Sequence, residues 1–432
     1  MGAASGSCDT PAGKSRIVHL AVGTYQSEDF DLARRVSLQG SGQDRTIIEG
    51  TVRGLRTGAS LSNLTITKGK GMEGGIVIST GESPEITNCT ISGNSGGGVS
   101  CGDATLTNCT ISGNLGYGVT CYDSSSALTN CTISGNLDAG MYCENSSPTL
   151  RGCTISGNGG GVYSENSSLI LTNCTISGNT AGPYGGLYCG GKSSPTLTNC
   201  TVSENSAEWG GGGNGGVCCG DNSSPTLTNC IVWGNTLESV CGNLSNCLTD
   251  QDPLFIQPGG WVDCGSPDDP LCTVYQRNPD TGEPTAWHRW VFDYHLQPGS
   301  PCIDAGTSEG APTTDIEGHG RPCGNGVDIG AYESGDCPGS GPRFRRGDAN
   351  DDGATDMSDA IATLSYLFLG INKVPCEQAG DANDDGVLDI SDVLHVLSFL
   401  FIGGKPIQPP AGICGVDPTA HTLPCGAFPG CQ

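Results

Sequence analysis

The sequence predicts an all-β parallel solenoid followed by a small α-helical module with paired calcium loops. A short motif returns at a nearly constant interval, as from Cys109 to Cys131 to Cys153, and 70 of the 432 residues are glycine without a G-X-Y period. Two copies of an acid-rich loop then follow near the C-terminus, at 348–359 and 381–392. A glycine share more than twice the usual roughly 7% points to many tight turns rather than to a collagen-like rod.

The repeat is Leu-Thr-Asn-Cys-Thr-Ile-Ser-Gly-Asn at 106–114, 128–136 and 171–179, with variants at 61–67, 86–94, 150–158, 197–205 and 227–235. Its central cysteines are Cys89, Cys109, Cys131, Cys153, Cys174, Cys200 and Cys230. A second column runs Cys101, Cys121, Cys143, Ser164, Cys189 and Cys218 or Cys219. Gly, Ser and Asn exclude long helices here, and the L-x-x-L-x-L frame of leucine-rich repeats is absent. Three short strands per turn remain, with alternate residues pointing inward: Val119 and Cys121, then Leu128, then Cys131 and Ile133. Asn130 sits at a bend where Asn tolerates the left-handed conformation. This pattern resembles the right-handed parallel β-helix repeat family, over roughly residues 17 to 245. The predicted organisation is therefore a β-helix at 1–245, a C-terminal cap at 246–334, a linker at 335–342 and a tail module at 343–432. Asp252-Pro-Leu-Phe255, Ile303-Asp-Ala-Gly306 and Val327-Asp-Ile-Gly-Ala-Tyr-Glu333 resemble the closing region of bacterial surface β-helix proteins.

In the tail, Asp348, Asn350, Asp352, Gly353, Asp356 and Asp359 hold positions 1, 3, 5, 6, 9 and 12 of a calcium loop. Asp381, Asn383, Asp385, Gly386, Asp389 and Asp392 repeat them. Such spacing wraps oxygens around one hard cation, with a backbone carbonyl at position 7, here Ala354 and Val387. Two Ca2+ ions are expected, each loop running into an apolar helix (360–369 and 393–402). Loop plus helix, duplicated, resembles the dockerin family over about 343 to 405. The resemblance implies docking onto a cohesin through Met357, Ser358, Ile390 and Ser391, although the basic pair that often follows on the helix is missing. Cys376, Cys414, Cys425 and Cys431 are expected to close the tail through disulfides.

The stacked repeat cysteines read as a buried thiol ladder rather than a metal site, since no His interleaves. Cys241, Cys247, Cys264, Cys272, Cys302, Cys323 and Cys337, irregularly spaced, read as disulfide partners. Of the N-x-[ST] triplets, Asn88, Asn108, Asn130, Asn173 and Asn199 belong to the repeat and suit a stacked amide ladder. Asn145, Asn166 and Asn222, in Asn-Ser-Ser turns, are the candidates for glycosylation, with Asn63 and Asn243 intermediate.

A net charge of -26 with 19 Lys+Arg argues against nucleic acid as a partner. No apolar run is long enough to span a membrane. Met1–Ser15 has no apolar core of a secretory leader, yet the chain otherwise suits the cell surface or the extracellular space. The resemblance to β-helix proteins includes lyases, which use a Lys or Arg base with calcium-binding acids, and hydrolases, which use clustered carboxylates. Between 71 and 235 the basic residues are Arg151 and Lys192 alone, and Asp103, Asp123, Asp138, Glu144, Glu165 and Asp221 fall about one per rung. Trp261, Trp287, His288 and Trp290 could form a carbohydrate platform or cover the end of the core. The expectation is a non-catalytic structural protein assembling head to tail into a fibre or layer. The alternatives are a secreted polysaccharide lyase or glycoside hydrolase targeted by its tail, and a glycan-binding adhesin.

Overall fold

The computed structural model describes residues 16–431 apart from 33–35, 72–73, 182–184, 208–214, 221, 237–239, 264–272, 278–283, 336–343, 371–373, 375, 409, 412–413, 416–422, 426–427 and 429–430. For 263–288 the description is of backbone alone. The chain divides into two compact units, Met1–Gly335 and Asp336–Gln432.

In the first unit, every turn of the repeat becomes three short strands, such as Val119–Tyr122, Ala127–Thr129 and Thr132–Ser134. Each pairs in parallel with its copy one turn on. Val119 meets Met141, then Val162, Leu187 and Val217; Leu128 meets Leu150, Leu171, Leu197 and Leu227. Ile111, Ile133, Ile155, Ile176, Val202 and Val232 stack likewise on the third strand. Period-two alternation sends these side chains inward, where they form one continuous core with the repeat cysteines. Asn63, Asn88, Asn108, Asn130, Asn173, Asn199 and Asn229 occupy the left-handed bend before the third strand, with φ of 50–55°.

The amide ladder forms in a different column from the one expected. It consists of the Asn that closes Ser-Gly-Asn: Asn94, Asn114, Asn136, Asn158, Asn179, Asn205 and Asn235, all buried. Each Nδ2 donates to the next Oδ1 at 2.8–3.0 Å. That Oδ1 also accepts the backbone N–H of the preceding Asn at 3.0–3.1 Å. The bend column forms such bonds only in part. Asn108, Asn88 and Asn63 are linked at 3.2 Å, but Asn173, Asn199 and Asn229 donate to carbonyls of the loops at 307–330. A corner that leaves the amide half-exposed lets other segments compete for it.

The seven central cysteines are free and buried, and each thiol donates to the carbonyl two residues before it at 3.3–3.5 Å. Burial pushes the thiols of Cys89, Cys174 and Cys230 far above their ordinary range, so the ladder packs as small hydrophobes. Of the irregular cysteines, Cys241 bonds to Cys219 and Cys323 is disulfide-bonded. Cys302 and Cys247 are corrections: both are free thiols, Cys302 in a buried apolar cluster and Cys247 at the last position of the ladder. Cys264, Cys272 and Cys337 lie outside the described residues.

The second unit holds helices α1 (Met357–Leu364), α2 (Glu377–Gly380) and α3 (Ile390–Ile402), with α1 running on into a π-helical turn, Ser365–Leu369. The helices α1 and α3 begin earlier than expected, at Met357 and Ile390, because Asp356 and Asp389 act as N-caps in matching capping boxes with Asp359 and Asp392. Ala360, Val393 and Val396 pack α1 against α3, and the disulfides Cys376–Cys425 and Cys414–Cys431 tie the end of the chain.

Replacing Asn136 by Ala removes a buried link between three rungs and strands amides on both sides. Chemical denaturation should show a loss of about 2–4 kcal/mol, against below about 0.5 kcal/mol for Leu137→Ala on the exposed neighbour.

Candidate functional site: a groove on the flank of the coil

The outward residues of the third strand are Thr and Ser at nearly every rung, a face of hydroxyls with no charge. On the later rungs that face is covered. Thr175, Ser177, Thr201 and Ser203 are buried although they point away from the core. The cover is formed by the described stretches 252–263, 284–296 and 303–333. A three-stranded antiparallel ribbon (Phe255–Asp263, Thr273–Arg277 and Pro284–Leu296) lies on one side. The loops at 303–330 lie on the other, gripping Asn173, Asn199 and Asn229.

Glycine makes this docking possible. A Cβ on Gly178, φ +61°, would collide with the Trp290 ring, and one on Gly157 would press on Trp261 and Trp290. In the same column Glu204 replaces glycine and still takes φ +55°. Its carboxylate accepts from Tyr294 Oη at 2.6 Å and from Gly259 N at 2.8 Å, pinning two ribbon strands to the coil. Burial raises the Glu204 carboxyl, and the two hydrogen bonds act against that rise. Behind it Phe255, Phe292 and Tyr294 stack with ring centroids 4.5–4.7 Å apart.

Where the ribbon overhangs the still-open rungs it leaves a groove of about 240 Å³. Thr132, Ser134, Gly135, Thr154, Ser156 and Gly157 form its floor, with Trp261, Trp290 and Phe292 as its wall. The two indoles meet edge to face at 5.4 Å. Ser134 Oγ and Trp290 Nε1 are buried without a hydrogen-bond partner. Aromatic faces beside hydroxyls and unsatisfied polar atoms suit a ligand that is flat, apolar on its faces and rich in hydroxyls. Among the described residues no titratable side chain lines this groove.

Trp261 and Trp290 thus stand on the side of the coil, not over its end, while the side chains of Trp287 and His288 lie outside the described residues. The scattered acids stay away from the groove. Asp103 accepts a turn N–H from Ser125, Asp123 and Asp138 are exposed, and Asp221 lies outside the described residues. Register brings Glu144 beside Glu165 on the first-strand face, next to a row formed by Tyr142, Tyr163 and Tyr188. Asn145, Asn166, Asn222 and Asn243 are exposed and Asn63 is half-buried.

Composition gave no sign of one further cluster. A buried Arg321–Glu333 pair at 2.9 Å fixes the loop at 313–333, Arg321 also donating to the carbonyls of Asp328 and Gly330. Beside it Asp315, Glu317 and His319 place their ligand atoms within 4.8 Å of one another. His295 bridges Glu317, 3.0 Å from Nε2, and Asp293, 2.6 Å from Nδ1. Glu317 chiefly, with Asp293, pushes the His295 imidazole up to about 9.

In the tail the two acid loops agree bond for bond. Asp348 accepts from Asp352 N and Gly353 N at 3.0 Å, and Asp381 accepts from Asp385 N and Gly386 N at 2.9–3.1 Å. Asp359 and Asp392 each accept two backbone N–H groups from their own loop. All four carboxylates are buried, and burial raises Asp359 to about 6 and Asp392 to about 7, nearby aspartates adding to the rise. Arg345 and Arg346 stand 3.4 Å from Asp348 and 4.0 Å from Asp381. Converging buried carboxylates of this kind fit a hard cation. Ser358 and Ser391 accept from Asn350 and Asn383 inside their loops, whereas Met357 and Ile390 are half-exposed or more.

Residues 47–183 and 99–249 match the family model described as a right handed beta helix region. The repeat is therefore a right-handed parallel β-helix, and the coil is a solenoid of that class. Among solved structures, pectate lyase Pel9A is similar at 14% identity and a TM-score of 0.52, over 75% of this chain and 90% of that one, a likeness of fold. The A-module of a mannuronan C-5 epimerase from Azotobacter vinelandii is matched at 12% identity and a TM-score of 0.31, over 55% and 91%. The catalytic unit of a GH87 α-1,3-glucanase from Streptomyces thermodiastaticus is matched at 13% and 0.26, over 54% and 62%. No curated protein matches this chain. Among the described residues no helix is long and apolar enough to cross a membrane.

Replacing Glu204 by Ala frees Tyr294 and Gly259 from the coil. The ribbon should then loosen by about 1–3 kcal/mol. Limited proteolysis should cut within 255–296 at least several-fold faster, with Trp emission shifted to the red.

Proposed function

We propose that this chain is a secreted polysaccharide-active protein that seats a sugar chain in the flank groove. The observation that supports this reading best is the pairing of the half-buried Trp261 and Trp290 indoles with a floor of Thr and Ser hydroxyls, Ser134 Oγ among them unpartnered. Sugar rings stack on aromatic faces and fill such donors and acceptors with their hydroxyls. Cleavage, of the lyase or glycoside hydrolase type, is the reading preferred to an inert structural role, because a built groove has no use in a mere spacer. The fold is one that a pectate lyase also has, and the same fold serves unrelated functions, so the assignment rests on the site.

The test is a panel of neutral and acidic polysaccharides, scored for binding and for release of unsaturated or reducing sugars. Binding that Trp290→Ala weakens at least tenfold is expected, with product from at least one substrate. Binding without product would leave a glycan-binding adhesin. Absence of binding across the panel would remove the polysaccharide reading altogether.

For the tail we propose a dockerin-like module that holds two Ca2+ ions. The proposed ligands are Asp348, Asn350, Asp352, Ala354, Asp356 and Asp359, and then Asp381, Asn383, Asp385, Val387, Asp389 and Asp392. Bond-for-bond repetition of the two loops supports this. Met357 and Ile390, with Ser358 and Ser391 behind them, would face a cohesin-like partner. Calorimetric titration with Ca2+ should give two sites in the full chain and one in Asp359→Ala or Asp392→Ala. Equal stoichiometry in all three would overturn the assignment.

Head-to-tail self-association is a second reading, favoured by exposed Ile17 and Val18 on the first strand and Val22 in the bend after it. Sedimentation at rising concentration checks it. Glycan attachment is proposed at Asn145, Asn166 and Asn222, which intact mass of the secreted protein decides.

A further inference from the structure

We propose that Asp315, Glu317 and His319 form a binding site for one divalent transition-metal ion of the zinc class, on the loop at 313–333 where His295 of the groove-bearing ribbon meets it. The donor set is mixed, one imidazole and two carboxylates with a position left for water, as such ions prefer over the all-oxygen sets of calcium. The spacing fits as well. Zinc takes N and O ligands at about 2.0–2.2 Å, which puts the edges of its tetrahedron at about 3.3–3.6 Å. His319 Nδ1 stands 3.3 Å from Asp315 Oδ2 and 3.5 Å from Glu317 Oε2. His295 Nε2 lies 3.0 Å from the same Glu317 oxygen and holds that ligand from outside the set.

The surroundings are those of a supported site. His295 is an outer partner that orients Glu317, its Nε2 3.0 Å from Glu317 Oε2 and its Nδ1 2.6 Å from Asp293 Oδ1. The imidazole of His295 packs against the Tyr332 ring, centroids 4.5 Å apart. Asp315 is held rigid by the backbone N–H groups of Glu317, His319 and Glu333. Glu317 and both histidines keep 25–42% of their side chains exposed, which leaves an ion a way in. Alternation along the strand Pro284–Leu296 then links this site to the groove. Trp290, Phe292 and Tyr294 face the coil, whereas Asp293 and His295 face the loop.

The test uses the full chain with saturating Ca2+, so that the tail loops are occupied, and with accessible thiols alkylated. Co2+ should bind at one equivalent with visible d–d absorption, and Zn2+ should displace it and raise the unfolding temperature of the coil. His319→Ala, which removes the imidazole 3.3 Å from Asp315 and 3.5 Å from Glu317, should weaken Co2+ binding at least tenfold and abolish the Zn2+ shift. Glu317→Gln serves as a second variant. Co2+ spectra and affinity unchanged in both variants would overturn the proposal, as would absence of binding to the folded parent. Neither outcome depends on whether the groove binds polysaccharide.

Discussion

Every part of the coil depends on one constraint, that a buried asparagine amide must meet its own copy a single rung away. An amide has two donors and an accepting oxygen with two lone pairs, and in a dry interior each one left unmade costs on the order of 1–3 kcal/mol. Asn94 to Asn235 satisfy theirs by repetition: from Asn114 on each oxygen takes two N–H groups of the rung before, and as far as Asn205 each Nδ2 reaches the rung after. A rung slipped out of register would break this chain and turn Ile133 and its neighbours outward. The ladder therefore fixes register, and register fixes both the interior and the hydroxyl face outside it.

That outer face is what the protein uses. A column of Thr and Ser is too polar to be a core and too bland for chemistry, yet it becomes a floor once a second layer covers part of it. The Ser-Gly-Asn turn supplies the space: Gly157 and Gly178 let an indole lie where any side chain would block it. Glu204 gives up the glycine and holds the cover down with two hydrogen bonds. The groove lies where Trp261, Trp290 and Phe292 of the cover stand over the rungs of Thr132 and Thr154.

The reverse face of the cover has a different character. Charge concentrates there, in a buried arginine–glutamate pair and a histidine–carboxylate cluster, while the third-strand face from Thr110 to Ser203 carries none. Burying Arg321 and Glu333 is tolerable because the ions pair with each other and with carbonyls and N–H groups, Arg321 Nε alone being left without a partner. One strand, Pro284–Leu296, thus joins an uncharged sugar-like surface to an ionic one. The tail unit solves a related problem twice, with identical turns around four buried aspartates.

Sequence alone determined what depends on short-range repetition. The period, the three strands per turn, the inward Cys, Leu and Ile, and the left-handed Asn bends were all legible, because an in-register coil makes every rung report on its neighbours. The loop spacing at 348–359 and 381–392 was legible for the same reason, as two copies constrain each other. Other features depend on contacts between distant stretches of chain, such as Asn173 with Thr314 and Glu204 with Tyr294. Which Asn column forms the ladder turned on which corner the later loops would cover. Cys247 and Cys302 stayed free because burial and stacking, not spacing, decide where a thiol lies. The groove joins the rungs at 132–157 to the ribbon at 261–292, and the His295 cluster joins a ribbon strand to the loop at 313–333. One trace of the site was present from the start, the glutamate at 204 where the repeat has glycine. Its meaning came only when the chain returned to lay Tyr294 against it.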